Sequence, residues 1–248
     1  MLQNKRILVT GASSGIGLAI TRSLIEAGAN VIAVVRNINS DSTKSLKHVK
    51  ENHKNALKII AINLESEEEV KTKITTLIKD FNDIFGLVNN AGQIYNGLVQ
   101  MTSRSEFSKM LDINFFAPLT ISQIIIKKMI KNREGSIVNI SSTSSQDCTI
   151  GRAAYSSSKI ALEAMTKTLA YELGRYNIRA NCILPGLTNT KLMKENTNES
   201  VISEVLKNIA LKRIAEPEEI ANLVTFLCSS KASYITAQSI RVDGGLRV

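Results

Sequence analysis

The sequence contains few of the residues that form metal sites, disulfide frameworks or histidine-based catalytic triads. Its three cysteines are an odd number without a C-x-x-C spacing, so they indicate neither a disulfide framework nor a zinc site. The only histidines, His48 and His53, lie in a polar stretch and offer little material for a Ser-His-Asp triad or a metal site. We therefore predict no bound metal, and we predict that another type of side chain carries the proton chemistry.

Long apolar runs are also missing. None approaches the ~20 residues that a membrane-spanning helix needs, and the apolar stretch near the amino terminus is too short for a signal peptide. Basic runs and RNA-binding aromatic clusters are absent too, although 31 lysines and arginines against 22 acidic residues give a net charge of +9. The prediction is a cytoplasmic protein with neither nucleic acid nor membrane as partner. The positive charge favours an anionic ligand or simply a solvated surface.

What is present is an alternation of short apolar runs with longer stretches of helical period along all 248 residues. This alternation is typical of β-α units arranged around a parallel sheet. The predicted strands are Arg6 to Thr10, Val31 to Val35, Leu57 to Ile62, Ile84 to Asn89, Ser136 to Ser141, Ile178 to Leu184 and Ser239 to Val242. No linker, repeat or change of composition divides the chain. We therefore predict a single α/β domain over residues 1–248, a Rossmann-type, doubly wound, seven-stranded parallel sheet with helices on both faces.

Two predicted helices and one polar segment point to contacts beyond this sheet. The helices that include Leu119 to Ile130 and Ile160 to Leu173 are apolar around much of their circumference, so each needs cover on more than one side. A larger core or a second copy of the chain could supply it, and we favour a symmetric neighbour in a homotetramer. Thr188 to Ser200 shows neither period, and we predict a mobile substrate loop around residues 187–212.

A glycine-rich turn follows the first predicted strand directly and precedes a helix. In its sequence, Thr10-Gly-Ala-Ser-Ser-Gly-Ile-Gly17, glycines permit a tight turn and let the main chain approach a pyrophosphate. The free N–H groups and the dipole of the helix start favour negative charge. The predicted dinucleotide contacts are Gly11, Ser13, Ser14, Gly15, Ile16 and Gly17. A turn that serves packing only is the alternative, because the spacing G-x-x-x-G-x-G differs from the common fingerprint.

The end of the second predicted strand indicates which dinucleotide binds. An acidic residue there would hydrogen-bond the adenosine ribose of NAD, whereas an arginine can receive the 2′-phosphate of NADP. Arg36 ends this strand, and residues 31–40 contain no carboxylate. The prediction is NADP(H), and an arginine that is merely exposed is the alternative.

Tyr155, Lys159 and Ser142 are the candidates for the chemistry. Tyr155 and Lys159 are four residues apart in a predicted helix and therefore share a face. Ser142 follows the fifth predicted strand, at the edge where ligands bind in open α/β sheets. A free tyrosine has a pKa of ~10, so bringing it to ~7 requires ~4 kcal/mol. One unit charge at ~4 Å with an effective dielectric of ~20 supplies ~4 kcal/mol, so we predict that the Lys159 ammonium makes Tyr155 an effective acid.

In this order the motifs resemble those of the short-chain dehydrogenase/reductase family, and the resemblance covers essentially the whole chain. The matching segments are residues 10–17, Asn89-Asn-Ala-Gly92, Asn114, Ser142, Tyr155, Lys159, Pro185-Gly186 and Thr190. The resemblance implies that Tyr155 gives its proton to the substrate oxygen as nicotinamide delivers hydride, and that Ser142 hydrogen-bonds the same oxygen. It also implies that Lys159 binds the nicotinamide ribose and lowers the pKa of Tyr155. Asn114 would anchor a water that links Lys159 to solvent.

The same resemblance extends the predicted cofactor site beyond the glycine-rich turn. It places Asn63 near the adenine, and it gives Asn90 a role in supporting the central sheet and the adenosine-side ribose. Thr190 and the backbone of Thr188 would hold the nicotinamide carboxamide. The other implied cofactor contacts are Leu64, Ala91, Gly92, Tyr155, Lys159, Pro185 and Gly186.

Within the family, the chain is most similar to bacterial reductases of 3-oxoacyl thioesters on acyl carrier protein. The similarity lies in Gly135 to Ser142, Asn181 to Gly186, Pro217 to Ile220 and Tyr234 to Gly245, which relatives acting on sugars and steroids share. It implies NADPH-dependent reduction of a 3-oxoacyl thioester in fatty-acid synthesis. One alternative is an NADP-dependent dehydrogenase of a sugar, steroid or other small alcohol. Another is a non-catalytic nucleotide-binding scaffold, which would usually lack the tyrosine or the lysine.

An acyl carrier protein is acidic, and basic residues beside the entrance of the site would steer it. By the resemblance Arg133 is a docking arginine, and the second docking position falls at Tyr176, next to Arg175. We therefore predict Arg133 and Arg175 as carrier contacts, with ordinary exposed arginines as the alternative. Ser145 stands where the resemblance suggests glycine and is predicted to narrow the substrate pocket.

Overall fold

The computed structural model describes residues 1–247, in which seven strands form one sheet. The strands are β1 (Arg6–Thr10), β2 (Asn30–Val35), β3 (Leu57–Ala61), β4 (Ile84–Asn89), β5 (Gly135–Ile140), β6 (Ile178–Pro185) and β7 (Ser239–Val242). Their order is β3-β2-β1-β4-β5-β6-β7, and every neighbouring pair is parallel. The predicted parallel α/β sheet is confirmed, because the buried strands are short, continuous apolar runs with clear limits.

Helices connect the strands and cover both faces of the sheet. The helices of the described chain are α1 (Gly15–Glu26), α2 (Lys44–Asn52), α3 (Glu67–Asp80), α4 (Arg104–Leu111), α5 (Ala117–Asn132), α6 (Ser144–Asp147), α7 (Ala153–Leu173), α8 (Lys191–Asn196), α9 (Glu199–Asn208) and α10 (Pro217–Cys228). A π-helical turn, Asp112–Phe116, joins α4 to α5.

Side chains of β1 alternate between the two faces of the sheet, as the period of a strand requires. Ile7 and Val9 pack in the core with α1 and α10, whereas Leu8 packs in the core with α3 and α5. All three side chains are fully buried. The two cores therefore lie on opposite faces of one sheet, which is the doubly wound arrangement.

The strand order reverses beside β1, which pairs with β2 on one side and with β4 on the other. The helix after β1 packs on one face of the sheet and the helix after β4 on the other. A crevice opens between two such connections, at the carboxyl ends of the strands. Thr10 and Asn89 end these two strands, so the glycine-rich turn begins where an open α/β sheet binds ligands.

The prediction of a loop over Thr188 to Ser200 is wrong as secondary structure, because α8 and the start of α9 lie within it. Thr190 caps α8, since its hydroxyl oxygen accepts a hydrogen bond from the backbone N–H of Met193 over 3.1 Å. The helices were not predicted because the segment is polar and has no clear apolar period. The mobility predicted for residues 187–212 stays a prediction.

The helices α5 and α7 leave apolar side chains uncovered. Phe116, directly before α5, is 48% exposed, and Ile160 and Tyr171 on α7 are 46% and 80% exposed. The helical stretch Arg104–Asn132 is long and apolar enough to cross a membrane, but half of its most apolar window is buried inside the molecule. A core helix passes the same test, and the fully buried Ile125 of α5 packs against the sheet in this way.

Candidate active site

A cavity of about 480 Å³ opens at the carboxyl ends of the central strands. The glycine-rich turn, the ends of β2, β4, β5 and β6, and the starts of α7 and α8 form its walls. The predicted site residues that line it are Gly11, Ser13, Ser14, Gly15, Ile16, Gly17, Arg36, Leu64, Asn90, Ala91, Gly92, Ser142, Tyr155, Lys159, Pro185, Gly186, Thr188 and Thr190. The structure thus brings together residues from across the whole chain in one cavity.

The glycine-rich turn forms one end of this cavity. Gly11 has a φ of +66°, and a Cβ there would lie 2.8 Å from the Cα of Ala91. A Cβ on Gly17 would lie 2.1 Å from the carbonyl oxygen of Gly11, so only glycine lets α1 begin so close to β1. No side chain caps the first turn of α1, and that turn contains no acidic residue. Its free N–H groups and the helix dipole therefore suit a pyrophosphate.

Asn90 holds the glycine-rich turn against the end of β4. Its Nδ2 donates to the carbonyl oxygens of Thr10 and Gly11 over 3.0 and 3.2 Å. In return, the hydroxyl oxygen of Thr10 accepts hydrogen bonds from the backbone N–H groups of Asn90 and Ala91, both over 3.0 Å. Four hydrogen bonds thus fix the backbone that would face the phosphates, and the predicted role of Asn90 at the adenosine-side ribose stays a prediction.

Arg36 lies in the cavity wall, but its guanidinium has a partner that the sequence analysis did not identify. Its Nη2 is 2.9 Å from Oε1 of Glu65, and 68% and 42% of the two side chains are exposed. The Nε2 of Gln93 donates to the same oxygen over 3.2 Å. An exposed ion pair is worth at most about 1 kcal/mol, so Arg36 can exchange Glu65 for a phosphate.

Asn63 is not part of the cavity wall, and its predicted contact with adenine stays a prediction. Its Oδ1 instead accepts a hydrogen bond from the backbone N–H of Glu65 over 3.1 Å and closes the turn after β3. An asparagine that hydrogen-bonds the backbone two residues on is a common turn device. In a sequence this device looks the same as a ligand contact. The neighbouring Leu64 does line the cavity.

Ser142, Tyr155 and Lys159 meet at one wall of the cavity. Tyr155 and Lys159 are only 8% and 4% exposed, and Ser142 and Tyr155 line the cavity close enough for the Ser142 hydroxyl to influence the pKa of Tyr155. The Nζ of Lys159 donates to the carbonyl oxygen of Ile140 over 2.9 Å and lies 5.9 Å from the centroid of the Tyr155 ring. The wall thus presents two hydroxyl groups to a substrate, with an amine behind them.

The pKa values of this wall differ from the prediction. Burial raises the pKa of Tyr155, while the neighbouring Ser142 hydroxyl and the charge of Arg152 oppose the rise. Burial also lowers the pKa of Lys159 to about 8. The prediction that Lys159 lowers the pKa of Tyr155 is therefore not what this structure shows. Both groups lose hydration at the same wall, and the amine faces the carbonyl group of Ile140.

Asn114 stands behind this wall, in the π-helical turn between α4 and α5. It is fully buried, and its Oδ1 accepts a hydrogen bond from the backbone N–H of Gln93 over 2.9 Å. Its Nδ2 donates to the carbonyl oxygen of Gln93 and to the hydroxyl of Ser158, both over 3.0 Å. A Cβ on Gly92 would lie 3.0 Å from Oδ1 of Asn114 and 3.2 Å from Nζ of Lys159. Asn114 and Lys159 therefore approach the same point, as the predicted water relay needs.

Glu163, one turn after Lys159 on α7, is a buried acid that the sequence analysis missed. It is 3% exposed, and one carboxylate oxygen accepts hydrogen bonds from the hydroxyls of Ser141, over 3.1 Å, and Ser145. Its other oxygen accepts one from Nε2 of Gln146 over 3.1 Å. The i, i+4 spacing from Lys159 is the only signal in the sequence that places it near the site.

Ser145 connects Glu163 to Ser142. Its hydroxyl contacts both the Glu163 carboxylate and the carbonyl oxygen of Ser142, the latter over 2.5 Å. Ser145 is 4% exposed and does not line the cavity, which corrects the prediction that it narrows the substrate pocket. The segment that carries Ser142 is thus fastened to the helix that carries Tyr155.

At the far end of the cavity, the segment between β6 and α8 contains Thr188 and Thr190, which are predicted to hold a nicotinamide. The Thr188 hydroxyl donates to the carbonyl oxygen of Gly186 over 3.1 Å, and Thr190 caps α8 as described above. A Cβ on Gly15 would lie 3.0 Å from Cγ2 of Thr190, so the glycine-rich turn and α8 face each other closely. The two predicted ends of the cofactor site therefore belong to one continuous cleft.

Arg133 and Arg175 lie together, but not beside the cavity. Nη2 of Arg133 donates to the carbonyl oxygen of Arg175 over 3.1 Å, and the guanidinium carbons lie 5.9 and 4.8 Å from the Tyr176 ring centroid. The two arginines precede β5 and β6, at the opposite edge of the sheet from the cavity. At ~3.3 Å per residue, β5 separates the two edges by about 17 to 20 Å. This corrects the prediction that they flank the entrance within one chain.

Proteins of known family resemble this chain over nearly its full length. A family model described as enoyl-(acyl carrier protein) reductase matches residues 11–247. A 3-oxoacyl-(acyl-carrier-protein) reductase FabG of Rickettsia felis is 39% identical over 246 residues, covering 99% of this chain and 98% of that protein. An L-xylulose reductase of Caenorhabditis elegans is 38% identical over 246 residues, covering 98% of this chain and 95% of that protein. A solved structure described as a short chain dehydrogenase/reductase family protein has a TM-score of 0.87 and 30% identity, covering 98% and 97% of the two chains.

Proposed function

The chain belongs to the short-chain dehydrogenase/reductase family, and we propose that it reduces the 3-oxo group of an acyl thioester to a 3-hydroxyl group with NADPH. The observation that carries the proposal is that Ser142, Tyr155 and Lys159 line the same cavity as the glycine-rich turn. As a member of the family it is an oxidoreductase that acts on CH–OH or C=O groups with a nicotinamide cofactor. The intact tyrosine and lysine argue against a non-catalytic scaffold.

The residues of the chain would perform the proton chemistry of this reduction. A reduced nicotinamide, when bound, supplies the hydride. The Tyr155 hydroxyl donates its proton to the carbonyl oxygen, and the Ser142 hydroxyl hydrogen-bonds the same oxygen and stabilises its developing charge. Lys159 binds a hydroxyl of the cofactor ribose. A water bound at Asn114 would return a proton to Tyr155 through Lys159.

A thioester substrate is favoured by the FabG relative, and a sugar by the L-xylulose reductase relative. The distinguishing experiment measures NADPH oxidation with the acetoacetyl thioester of N-acetylcysteamine and with L-xylulose. We expect a higher kcat/KM for the thioester. Reduction of L-xylulose without reduction of the thioester would replace the first proposal with the second.

We expect the cofactor preference to depend on Arg36 and Glu65. Arg36→Ala removes a charge-assisted hydrogen bond to the 2′-phosphate and should lower the NADPH-to-NADH ratio of kcat/KM roughly tenfold or more. Glu65→Gln, the matched change at its ion-pair partner, removes a competing carboxylate and should raise that ratio. Steady-state kinetics with both cofactors measures each ratio. A ratio that neither variant alters would contradict the assignment of NADP(H).

A carrier protein would dock at Arg133 and Arg175. Because these arginines lie at the opposite edge of the sheet from the cavity, the acyl group of the carrier would have to enter the cavity of a second copy of the chain or extend past the sheet to the cavity of the same chain. The double variant Arg133→Ala/Arg175→Ala should raise KM for a carrier-bound 3-oxoacyl substrate, most strongly at low salt. KM for the small thioester should change much less. Lys47→Ala/Lys50→Ala, on the exposed face of α2, is the control for lost charge. Equal changes of KM for the carrier-bound substrate and the small thioester would exclude this docking surface.

A homotetramer is also part of the proposal, because Phe116, Ile160 and Tyr171 form apolar faces that one chain leaves uncovered. Sedimentation measures the assembly directly, and a monomer at micromolar concentration would exclude it. We also propose a cytoplasmic location, since the three cysteines are unpaired, as in proteins of reducing compartments.

A further inference from the structure

Arg152 is a charged residue of the cavity wall to which neither the sequence analysis nor the proposed mechanism gives a role. It is the N-cap residue of α7, three positions before Tyr155. Its side chain lines the cavity, and its guanidinium carbon lies 5.8 Å from the centroid of the Tyr155 ring. The cation therefore stands beside the group that would donate the proton.

Other charged side chains of the cavity wall have partners within the chain. Arg36 pairs with Glu65 over 2.9 Å, and Asp147 pairs with Arg241 over 2.6 Å. The Arg152 guanidinium makes no ion pair or hydrogen bond to any residue between 1 and 247. Its planar group keeps all five donor N–H bonds for another partner.

The position of Arg152 is also unfavourable for the folded chain alone. A cation at the amino end of a helix opposes the helix dipole, and the first turn of α7 has no acidic residue to compensate. Burial lowers the pKa of Arg152, while the nearby Tyr155 raises it slightly. A half-buried cation without a partner destabilises a protein unless a ligand supplies an acceptor. The environment of Arg152 thus indicates a ligand oxygen.

We propose that Arg152 recognises a second oxygen on the substrate, the C1 oxygen of a 3-oxoacyl group, while Ser142 and Tyr155 hold the ketone oxygen. This inference rests on the proposed function and names the part of the substrate that sets specificity. In a 3-oxoacyl group the C1 oxygen is two carbons from the ketone carbon, which suits a donor that lies over the Tyr155 ring. The C1 oxygen belongs to a thioester in the proposed substrate and to a carboxylate in the free acid, and both are acceptors.

The test compares three substrates with NADPH as the reductant. They are the acetoacetyl thioester of N-acetylcysteamine, free acetoacetate, and a methyl ketone with a methylene group in place of the thioester carbonyl. Arg152→Leu removes the donor and Arg152→Lys retains a cation. Arg104→Leu, at an exposed arginine that does not line the cavity, is the matched control. NADPH affinity, measured by fluorescence, reports whether the cofactor site of each variant is intact.

We expect Arg152→Leu to lower the thioester-to-ketone ratio of kcat/KM at least about tenfold, and Arg152→Lys to restore part of it. A larger loss with acetoacetate than with the thioester would assign the oxygen to a carboxylate, and the reverse to a thioester. Equal losses of kcat/KM on all three substrates, or an unchanged thioester-to-ketone ratio, would overturn the proposed role of Arg152 but not the proposed function. A wild-type protein that reduces neither 3-oxo compound would overturn the proposed function, and this role with it.

Discussion

Replacing Tyr155 with phenylalanine is expected to lower kcat for ketone reduction roughly 10²- to 10⁴-fold, the range for loss of a general acid. The ring of Tyr155 is buried and the substitution removes only the hydroxyl, so the fold and the cofactor cleft should persist. NADPH affinity should therefore change little. Single-turnover kinetics with the acetoacetyl thioester, together with a fluorescence titration of NADPH, measures both quantities.

Tyr171 supplies a matched control for this variant, because it lies on the same helix and is 80% exposed. Tyr171→Phe should leave kcat close to that of the wild type. If Tyr155→Phe retained near-normal turnover, Tyr155 would not be the proton donor, whatever its position in the cavity.

Replacing Lys159 with methionine is expected to reduce activity and at the same time to stabilise the folded protein. Burial lowers the pKa of Lys159 from its ordinary value of 10.5 to about 8, so holding the charge in the folded state costs about 3 kcal/mol at neutral pH. Methionine has a similar shape without the charge. We expect the free energy of unfolding at pH 7 to rise by up to about 3 kcal/mol, measured by urea denaturation.

Because the pKa of Lys159 is lowered in the folded state, the stabilisation by Lys159→Met should depend on pH. Between about pH 8 and 10.5 the unfolded chain holds a proton on Lys159 that the folded chain releases, so wild-type stability rises with pH there. The advantage of Lys159→Met should thus be complete below about pH 8 and vanish above pH 10.5. Lys167→Met, at an exposed position of the same helix, should show no such window. A constant difference at all pH values would contradict a lowered pKa for Lys159.

The activity of Lys159→Met tests the electrostatic role of the same amine. Oxidation of the alcohol, the reverse reaction, needs an ionised Tyr155, whose pKa burial already raises. Lys159 is not among the groups that shift the pKa of Tyr155 in this structure, so the pH profile of that reaction should move little, whereas NADPH should bind more weakly. A profile that shifts toward alkaline pH would show that Lys159 also lowers the pKa of Tyr155.

The sheet and the glycine-rich turn could be predicted from the sequence because both depend on local chemistry. Buried strands such as β1 and β4 are short apolar runs, and their predicted ends agree with the structure. Gly11 and Gly17 are required by close backbone approaches that no other residue permits. Tyr155 and Lys159 share a helix face, so their spacing alone brings them together.

The features that could not be predicted are contacts between distant segments. Glu163 meets Ser141 and Ser145, and Glu65 meets Arg36, because the sheet brings separate loops to one edge. The pKa of Lys159 depends on burial by the whole fold, which a sequence pattern does not quantify. The helix α8 escaped prediction because a capping threonine, rather than an apolar stripe, fixes its start.

Isotope transfer tests most directly whether this site reduces a 3-oxoacyl thioester. The reaction would contain NADPH in which both hydrogens at C4 of the nicotinamide are replaced by deuterium, and mass spectrometry would locate the label in the product. The account predicts a 3-hydroxyacyl thioester with deuterium at C3, formed by the wild type and far more slowly by Tyr155→Phe. An unlabelled product, or an unchanged thioester in the presence of wild-type protein, would contradict it.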